Sequence, residues 1–232
     1  MKNFGLVGGI GPESTVEYYL QIIKKVKEIK GTNPDFLIKS IDTNVVLAYA
    51  AEKRYKDLVA FLKEKINVLE KANADFAAMA SNTPHVVYEE LSKEITIPLI
   101  SIVEETCKTT KENNLKKVAL FGTMSTMVSG FYQKKAKEYG IEVIAPTQSQ
   151  MEYIHEKYMK ELLYRDIKQT TKEALINIVN DLYDKHAIEG LILGGTEIPL
   201  ILNQDDFKTI KVMDTTEIHV DAIVKMMLST EG

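Results

Sequence analysis

The residues with the clearest chemical potential lie in two short turns, each of which follows an apolar run. The first, SNTPH at residues 81–85, carries two hydroxyls, an amide and an imidazole. The second, GGTEIP at residues 194–199, carries a hydroxyl and a carboxylate after two glycines. Hydroxyl and amide groups donate hydrogen bonds to carboxylates, so Asn82, Thr83 and Thr196 are candidates for binding a small carboxylate. A structural explanation competes, because such residues also cap helices.

A glycine-rich turn, GGIGPEST at residues 8–15, precedes a predicted helix. Pro12 suits a first helical turn, and Ser14 or Thr15 is expected to cap it. Backbone amides near Gly11 could hold an anion. Ser14 stands where the dinucleotide-binding fingerprint needs its third glycine, so a small carboxylate or plain turn geometry is favoured over a nicotinamide cofactor.

A fourth turn and an arginine complete the set of candidate ligand-binding residues. Thr123 and Thr126, in GTMSTM at residues 122–127, follow a strand and precede a helix, where they could bind a carboxylate or cap the helix. A doubly charged substrate needs a cation, and a guanidinium is well suited to carboxylates. Arg165 is the candidate, with Arg54 as a weaker one; a surface role is the alternative for both.

Composition excludes several classes of protein. The chain has 232 residues, of which 45% are hydrophobic and 27% charged, as in soluble globular proteins, and its net charge of -4 indicates no polyanion partner. With Cys107 as the single cysteine, an intrachain disulfide or a cysteine-rich metal site is excluded. His155, His186 and His219 lack ligand spacing and are expected in surface or packing roles. An early first strand and the lack of long apolar runs predict a cytoplasmic protein without a membrane partner.

Short apolar runs alternate with longer amphipathic stretches along the chain. Continuous rather than alternating apolar strands predict parallel sheets covered on both faces, and therefore an α/β fold. The predicted strands are residues 4–7, 36–41, 76–80, 99–102, 118–121, 141–145, 191–193 and 210–213.

An internal repeat divides the chain. Segments at a constant offset of 114 residues resemble each other at four places. The matched pairs are Gly8 with Gly122, Tyr18 with Tyr132, Ser81 with Gly195, and Ser101 with Thr215.

The repeat predicts two pseudo-symmetric, Rossmann-like lobes, each with a parallel sheet of about four strands flanked by helices. The first lobe comprises residues 1–100 plus 210–232, and the second comprises residues 101–209. Ligands of open parallel sheets bind beyond the carboxyl ends of the strands. The candidate turns are therefore expected to line one cleft between the lobes.

Together these segments resemble the aspartate/glutamate racemase superfamily, over nearly the whole chain. The resemblance is carried by GLVGGIGPESTVEYY, SNTPH, GTMSTMVSGFY, LGGTEIPL and DTTEIH in that order. It implies two Rossmann-like lobes with the site between them, a homodimer, and racemisation of acidic amino acids without a cofactor such as pyridoxal phosphate and without a metal. It also implies two catalytic cysteines, one from each lobe, which remove and return the α-proton on opposite faces.

This sequence departs from the family pattern at both catalytic positions. Ser81 and Gly195 stand where the family usually has cysteine, although some members have threonine at the first position. One interpretation is an enzyme with weak, one-sided or altered activity, in which Ser81, aided by His85 or Glu197, moves protons. A second is a non-catalytic binder of an acidic amino acid or dicarboxylate. A third is a working racemase in which Ser81 or Gly195 is an engineered substitution.

Overall fold

The computed structural model describes residues 1–229 and contains two four-stranded parallel sheets flanked by helices. The α/β class, the two sheets and their four strands each are confirmed. All eight predicted strands are present, with ends that differ from the predicted ones by one or two residues.

The first sheet has the strand order β2-β1-β3-β4. Its strands are β1 (Phe4–Gly8), β2 (Phe36–Ser40), β3 (Phe76–Met79) and β4 (Leu99–Ile100).

The second sheet has the order β6-β5-β7-β8, which repeats that of the first sheet. Its strands are β5 (Lys117–Gly122), β6 (Glu142–Ile144), β7 (Gly190–Gly194) and β8 (Lys211–Asp214). The register repeats as well: Phe4 pairs with Phe76 in the first sheet and Val118 pairs with Gly190 in the second. Both pairs are related by the offset of 114 residues found in the sequence.

The contacts divide the chain into two units. Unit 1 is Met1–Glu105 with the segment from Thr216 onward, and unit 2 is Thr106–Thr215. The limits predicted from the sequence, near 100 and 210, lie a few residues before these.

The helices of unit 1 are α1 (Pro12–Lys30), α2 (Thr43–Ala51), α3 (Tyr55–Lys71), α4 (Tyr88–Glu94) and most of α10 (Thr215–Leu228). Helix α5 (Ile102–Glu112) runs from unit 1 into unit 2, which contains α6 (Met124–Val128), α7 (Phe131–Glu138), α8 (Gln148–Lys160) and α9 (Gln169–His186).

Unit 1 has a hydrophobic core on each face of its sheet, because successive strand residues point to opposite faces. Val7 packs with side chains of α2, α3 and α4 on one face. Leu6 packs with side chains of α1 and α10 on the other. The sheet is therefore buried on both sides, which explains why its strands are continuously apolar in the sequence.

Unit 2 has its largest core where the second sheet meets α8 and α9. Phe121 of β5 and Leu193 of β7 pack there with Tyr158 of α8 and Val179 of α9. The last turn of α8 thus lies against the sheet beside the ends of two strands.

Glycine ends the first strand of each sheet because the following helix approaches closely. A Cβ at Gly8 would lie 2.6 Å from Cγ2 of Thr15, and a Cβ at Gly122 would lie 2.8 Å from the carbonyl oxygen of Gly194. Real Cβ contacts are not this short, so any side chain here would displace the helix or the neighbouring strand.

Candidate active site

The turn after β3 contains two largely buried residues, Ser81 and Thr83, whose hydroxyls are open to a ligand. Ser81 is 9% exposed and Thr83 is 4% exposed. Within residues 1–229 neither hydroxyl makes a hydrogen bond. Thr83 begins a short 3₁₀ turn, Thr83–Val87, and Asn82 precedes it without a side-chain capping bond. The capping role predicted for Asn82 or Thr83 is therefore wrong. Neither hydroxyl oxygen is among the buried atoms that lack a partner, so both can be reached by water or by a ligand.

His85 is locked by the backbone on both sides of its ring. The backbone N–H of Ile102 donates to Nε2 at 3.3 Å, so Nδ1 carries the proton that is donated to the carbonyl oxygen of Ser81 at 2.9 Å. Burial lowers the pKa of His85 to about 4. The ring is neutral at pH 7, and it supports the Ser81 carbonyl rather than the Ser81 hydroxyl.

A second buried imidazole stands beside the first. The centroid of the His219 ring lies 6.2 Å from that of His85. Nε2 of His219 donates to the carbonyl oxygen of Ile100 at 3.1 Å, so Nδ1 accepts from the hydroxyl of Tyr18 at 2.7 Å. Burial, with a smaller effect of His85, lowers the pKa of His219 to about 3. The packing role predicted for His219 holds, and both rings are fixed in one neutral tautomer.

The glycine-rich turn after β1 is closed by its own hydrogen bonds. The N–H of Gly9 donates to the hydroxyl of Thr15 at 2.7 Å, and that hydroxyl donates to the carbonyl oxygen of Gly11 at 3.2 Å. Helix α1 begins at Pro12, as predicted, but Gly11 is its N-cap and no side chain caps it. The cap expected from Ser14 or Thr15 is wrong: Ser14 donates instead to the carbonyl oxygen of Ala80 at 2.8 Å. Ser14 thereby ties α1 to the end of β3, next to Ser81.

The turn after β5 is a genuine helix cap. The Thr123 hydroxyl accepts from the N–H of Thr126 at 3.3 Å, and the two hydroxyls lie 3.1 Å apart. Thr126 is fully buried, whereas Thr123 is 8% exposed. His155 of α8 accepts the N–H of Met124 at Nδ1, at 3.2 Å, so its proton is on Nε2. Thr123 and Thr126 are thus together, with their side chains engaged with each other.

The turn after β7 carries a buried carboxylate held by two hydroxyls. Tyr158 of α8 and Thr196 both donate to Oε2 of Glu197, the latter at 2.9 Å. Glu197 is 2% exposed. Burial and then the charge of Glu197 hold the pKa of the Tyr158 phenol well above its usual value, so the phenol remains a donor. Thr196, a predicted ligand-binding residue, is half-buried and oriented toward this carboxylate.

The two candidate cationic residues are exposed. Arg165 has a left-handed backbone with φ 55° after the 3₁₀ turn Leu162–Tyr164, and makes no ion pair within residues 1–229. Arg54 is engaged at the surface, with Asp57 at 2.8 Å and Glu52 at 3.4 Å. Both arginines thus have the exposed positions expected of the alternative, a surface role, and Arg165 differs from Arg54 in making no ion pair within residues 1–229.

One contributor to the turns could not be recognised from the sequence. Tyr158 fits the apolar face of an amphipathic helix, and 39 residues separate it from Glu197. The packing role of His219 was predicted, but its position beside His85, 134 residues earlier in the chain, was not.

Two absences hold for the part of the chain that the structure describes. Among residues 1–229 no group of three or more His, Cys, Asp and Glu side chains is arranged to hold a metal ion. Over the same residues, no helix combines the length and the apolar character that crossing a membrane requires.

Comparison with known proteins identifies the family. The family model for Asp/Glu/hydantoin racemase matches residues 7–223, so this chain belongs to that family. The resemblance drawn from the sequence is thereby confirmed.

Individual relatives agree with the family assignment. The broad specificity amino-acid racemase RacX of Bacillus subtilis is 31% identical over 148 residues, which are 60% of this chain and 63% of RacX. The match thus spans less than two thirds of that curated relative.

Two solved structures match nearly the whole chain. A candidate Asp/Glu racemase from Yersinia pestis is 30% identical with a TM-score of 0.91, covering 99% of this chain and 100% of that one. An aspartate racemase homologue from Pyrococcus horikoshii is 32% identical with a TM-score of 0.84 and the same coverage. The observed fold is therefore that of racemase structures.

Proposed function

We propose that this protein binds an acidic amino acid, aspartate or glutamate, and exchanges its α-proton at Ser81. The observation that carries the proposal is that two largely buried residues, Ser81 and Thr83, present accessible hydroxyls that make no hydrogen bond within residues 1–229. Membership of the racemase family and the names of the relatives support an amino-acid substrate. The prediction that turns of both units serve one ligand stays a prediction.

The chemistry expected at Ser81 is slow and one-sided. The hydroxyl must first lose its proton to solvent, and as an alkoxide it can then remove the α-proton of the substrate. The new Ser81 O–H exchanges its proton with solvent while the carbanion persists, and it then returns the solvent-derived proton to the α-carbon. His85 cannot assist, because its Nδ1–H is donated to the Ser81 carbonyl and its Nε2 accepts from Ile102. The family resemblance implies that the residue at position 195 protonates the opposite face, and Gly195 has no side chain for this. Exchange should therefore proceed mainly with retention of configuration.

A second candidate function is ligand binding without catalysis. It is favoured by the same hydrogen bonds: a serine hydroxyl without an activating base is a weak nucleophile and a weak proton carrier. On this proposal the two hydroxyls and Asn82 hold a carboxylate and no proton moves.

Solvent exchange separates the two candidates. L-aspartate and L-glutamate are incubated with the protein in deuterated water, and α-deuterium incorporation is followed by NMR together with optical rotation. Incorporation without loss of optical rotation supports one-sided exchange. Enzyme-like racemisation contradicts one-sidedness, and an absence of incorporation with retained binding supports the binder.

Binding itself is tested by thermal shift. A ligand that binds only the native state, and is present at a concentration of 100 times its Kd, stabilises the folded protein by about 2.7 kcal/mol. Aspartate should therefore raise the melting temperature, and asparagine, which lacks the second carboxylate, should raise it less. We propose Arg165 as the partner of that carboxylate, so Arg165→Gln should reduce the difference. A flat response to both amino acids contradicts both candidate functions.

A homodimer and independence of cofactors are implied by the family resemblance, and a cytoplasmic location is expected from the sequence. These three points remain predictions, and size-exclusion chromatography with light scattering tests the first.

A further inference from the structure

Position 195 requires glycine for reasons of space. Gly195 does not have the positive φ found at Gly9, Gly31, Gly130 and Gly140, so its backbone conformation suits any residue. A Cβ there would lie 2.5 Å from Cε2 and 3.2 Å from Cζ of Tyr158, and 3.2 Å from Cδ1 of Ile198. The ring of Tyr158 thus occupies the volume that a side chain at 195 needs.

The same tyrosine fixes the carboxylate two residues further along. The Tyr158 phenol donates to Oε2 of Glu197, which also accepts from Thr196. The tyrosine is 6% exposed and packs in the core of unit 2, so the ring has little freedom to move aside. One side chain therefore controls both the space over Gly195 and the orientation of Glu197.

We propose that Tyr158 is the positioning residue of the turn after β7: its ring excludes a side chain at 195, and its phenol orients the Glu197 carboxylate. The part that concerns ligand chemistry rests on the proposed function. The steric part does not, and can be tested on the protein without any ligand.

A double-mutant cycle tests the steric part. Gly195→Ala should lower the melting temperature by about 3–10 °C, because overpacking is costly in a chain of this size. In a Tyr158→Phe background the ring remains and the drop should be the same. In a Tyr158→Leu background Cε2 and Cζ are gone, so the drop should largely vanish. Equal drops in all three backgrounds contradict the proposal.

Two further variants keep this cycle decisive. Ile198→Val removes the more distant of the two contacts and should relieve Gly195→Ala only slightly. If Tyr158→Leu does not fold, Tyr158→Met takes its place, since an unbranched chain can move out of the way. Full relief by Ile198→Val with none by Tyr158→Met overturns the proposal.

Titration of the carboxylate tests the positioning of Glu197. Tyr158→Phe should move the NMR titration profile of the Glu197 side chain to higher pH, because a carboxylate that loses a hydroxyl donor keeps its proton to higher pH. Tyr153→Phe, on the same helix, is the matched control and should leave the profile unchanged. An unchanged profile for Tyr158→Phe contradicts the positioning role.

Cysteines at both turns test what Tyr158 excludes. The variant Ser81→Cys, Gly195→Cys should racemise aspartate at least ten-fold faster once Tyr158→Leu is added, since the second thiol then has room. Equal rates with and without Tyr158→Leu contradict the exclusion. If no variant exchanges the α-proton while the melting temperatures still follow the cycle, the proposed function fails and the steric role of Tyr158 stands.

Discussion

The turn after β3 and the turn after β7 occupy equivalent places in two sheets of identical order, yet their polar groups are arranged differently. After β3, the backbone and the Tyr18 hydroxyl hold two neutral imidazoles, and the Ser81 and Thr83 hydroxyls make no hydrogen bond within residues 1–229. After β7, hydroxyls hold a buried carboxylate, and an aromatic ring covers the glycine. Duplication has thus preserved the backbone while the chemistry of the two turns has diverged: one is open to a ligand, the other filled by its own side chains.

The largest effect is expected at the hydroxyl of the open turn. Ser81→Ala should reduce α-proton exchange by at least about 100-fold, the usual contribution of a group that transfers a proton. Ser81→Cys should increase it, because a thiolate forms far more readily near neutral pH. Both rates are measured by deuterium incorporation, with the exposed Ser92→Ala as control. Unchanged exchange in Ser81→Ala would mean that the turn after β3 is not the reactive one.

The next effect is a loss of stability in acid. The pKa of His85 is lowered to about 4 and that of His219 to about 3, so the unfolded chain binds protons near pH 6.5 that the native state does not bind. Stability contributed by the neutral rings is complete above about pH 6.5 and falls as pH decreases toward 4, by an amount on the order of 3 kcal/mol for each histidine.

Denaturant unfolding at pH 7, 5.5 and 4 measures this dependence. His219→Gln should flatten it, whereas His186→Gln, at an exposed helix end, should not. Hydrogen exchange at pH 5 localises the effect: amides of residues 81–88 should lose protection before those of residues 194–200. A simultaneous loss would show that the two turns do not differ in acid sensitivity.

A smaller effect separates the two strand-end glycines. Gly122→Ala should lower the free energy of unfolding by about 2–3 kcal/mol, because its Cβ would meet the backbone of Gly194. Gly8→Ala should lower it by about 1–2 kcal/mol, because its Cβ would meet a side-chain methyl of Thr15. Thr15→Ser removes that methyl and keeps the hydroxyl bonded to Gly9, so it should rescue Gly8→Ala. Chemical denaturation measures all three, and equal costs at both glycines would contradict the distinction.

The smallest effect concerns the bond between α1 and the end of β3. Ser14→Ala removes the hydrogen bond to the carbonyl oxygen of Ala80 and should lower the free energy of unfolding by about 1 kcal/mol. Because Ala80 precedes Ser81, the variant should also slow α-proton exchange slightly. A stability change with no effect on exchange would show that the Ser81 turn holds its shape without α1.

The sequence predicts the backbone of this protein better than its polar contacts. Eight apolar runs suffice to predict the strands, because a strand that is buried on both faces is apolar along its whole length. The constant offset of 114 residues suffices to predict that the strands form two sheets. The capping roles of Ser14 and Asn82 were predicted wrongly, since a polar side chain near the start of a helix can equally well bond to another element, as the Ser14 hydroxyl does to Ala80. The contact of Tyr158 with Gly195 could not be predicted, because the helical spacing of Tyr158 matches that of a core residue and only the fold brings the two residues together.

Helices α5 and α10 follow the last strand of one sheet and end in the other unit. Unit 2 is consequently one uninterrupted stretch of chain, while unit 1 needs Val220, Ile223, Val224 and Met227 to fill the core around Phe4 and Tyr18. During synthesis on the ribosome, the segment made second can finish folding first. The amino-terminal half must wait for α10 to emerge, because until then α1 covers only part of that side of the sheet. A nascent chain stalled before residue 215 would therefore present the uncovered part to chaperones.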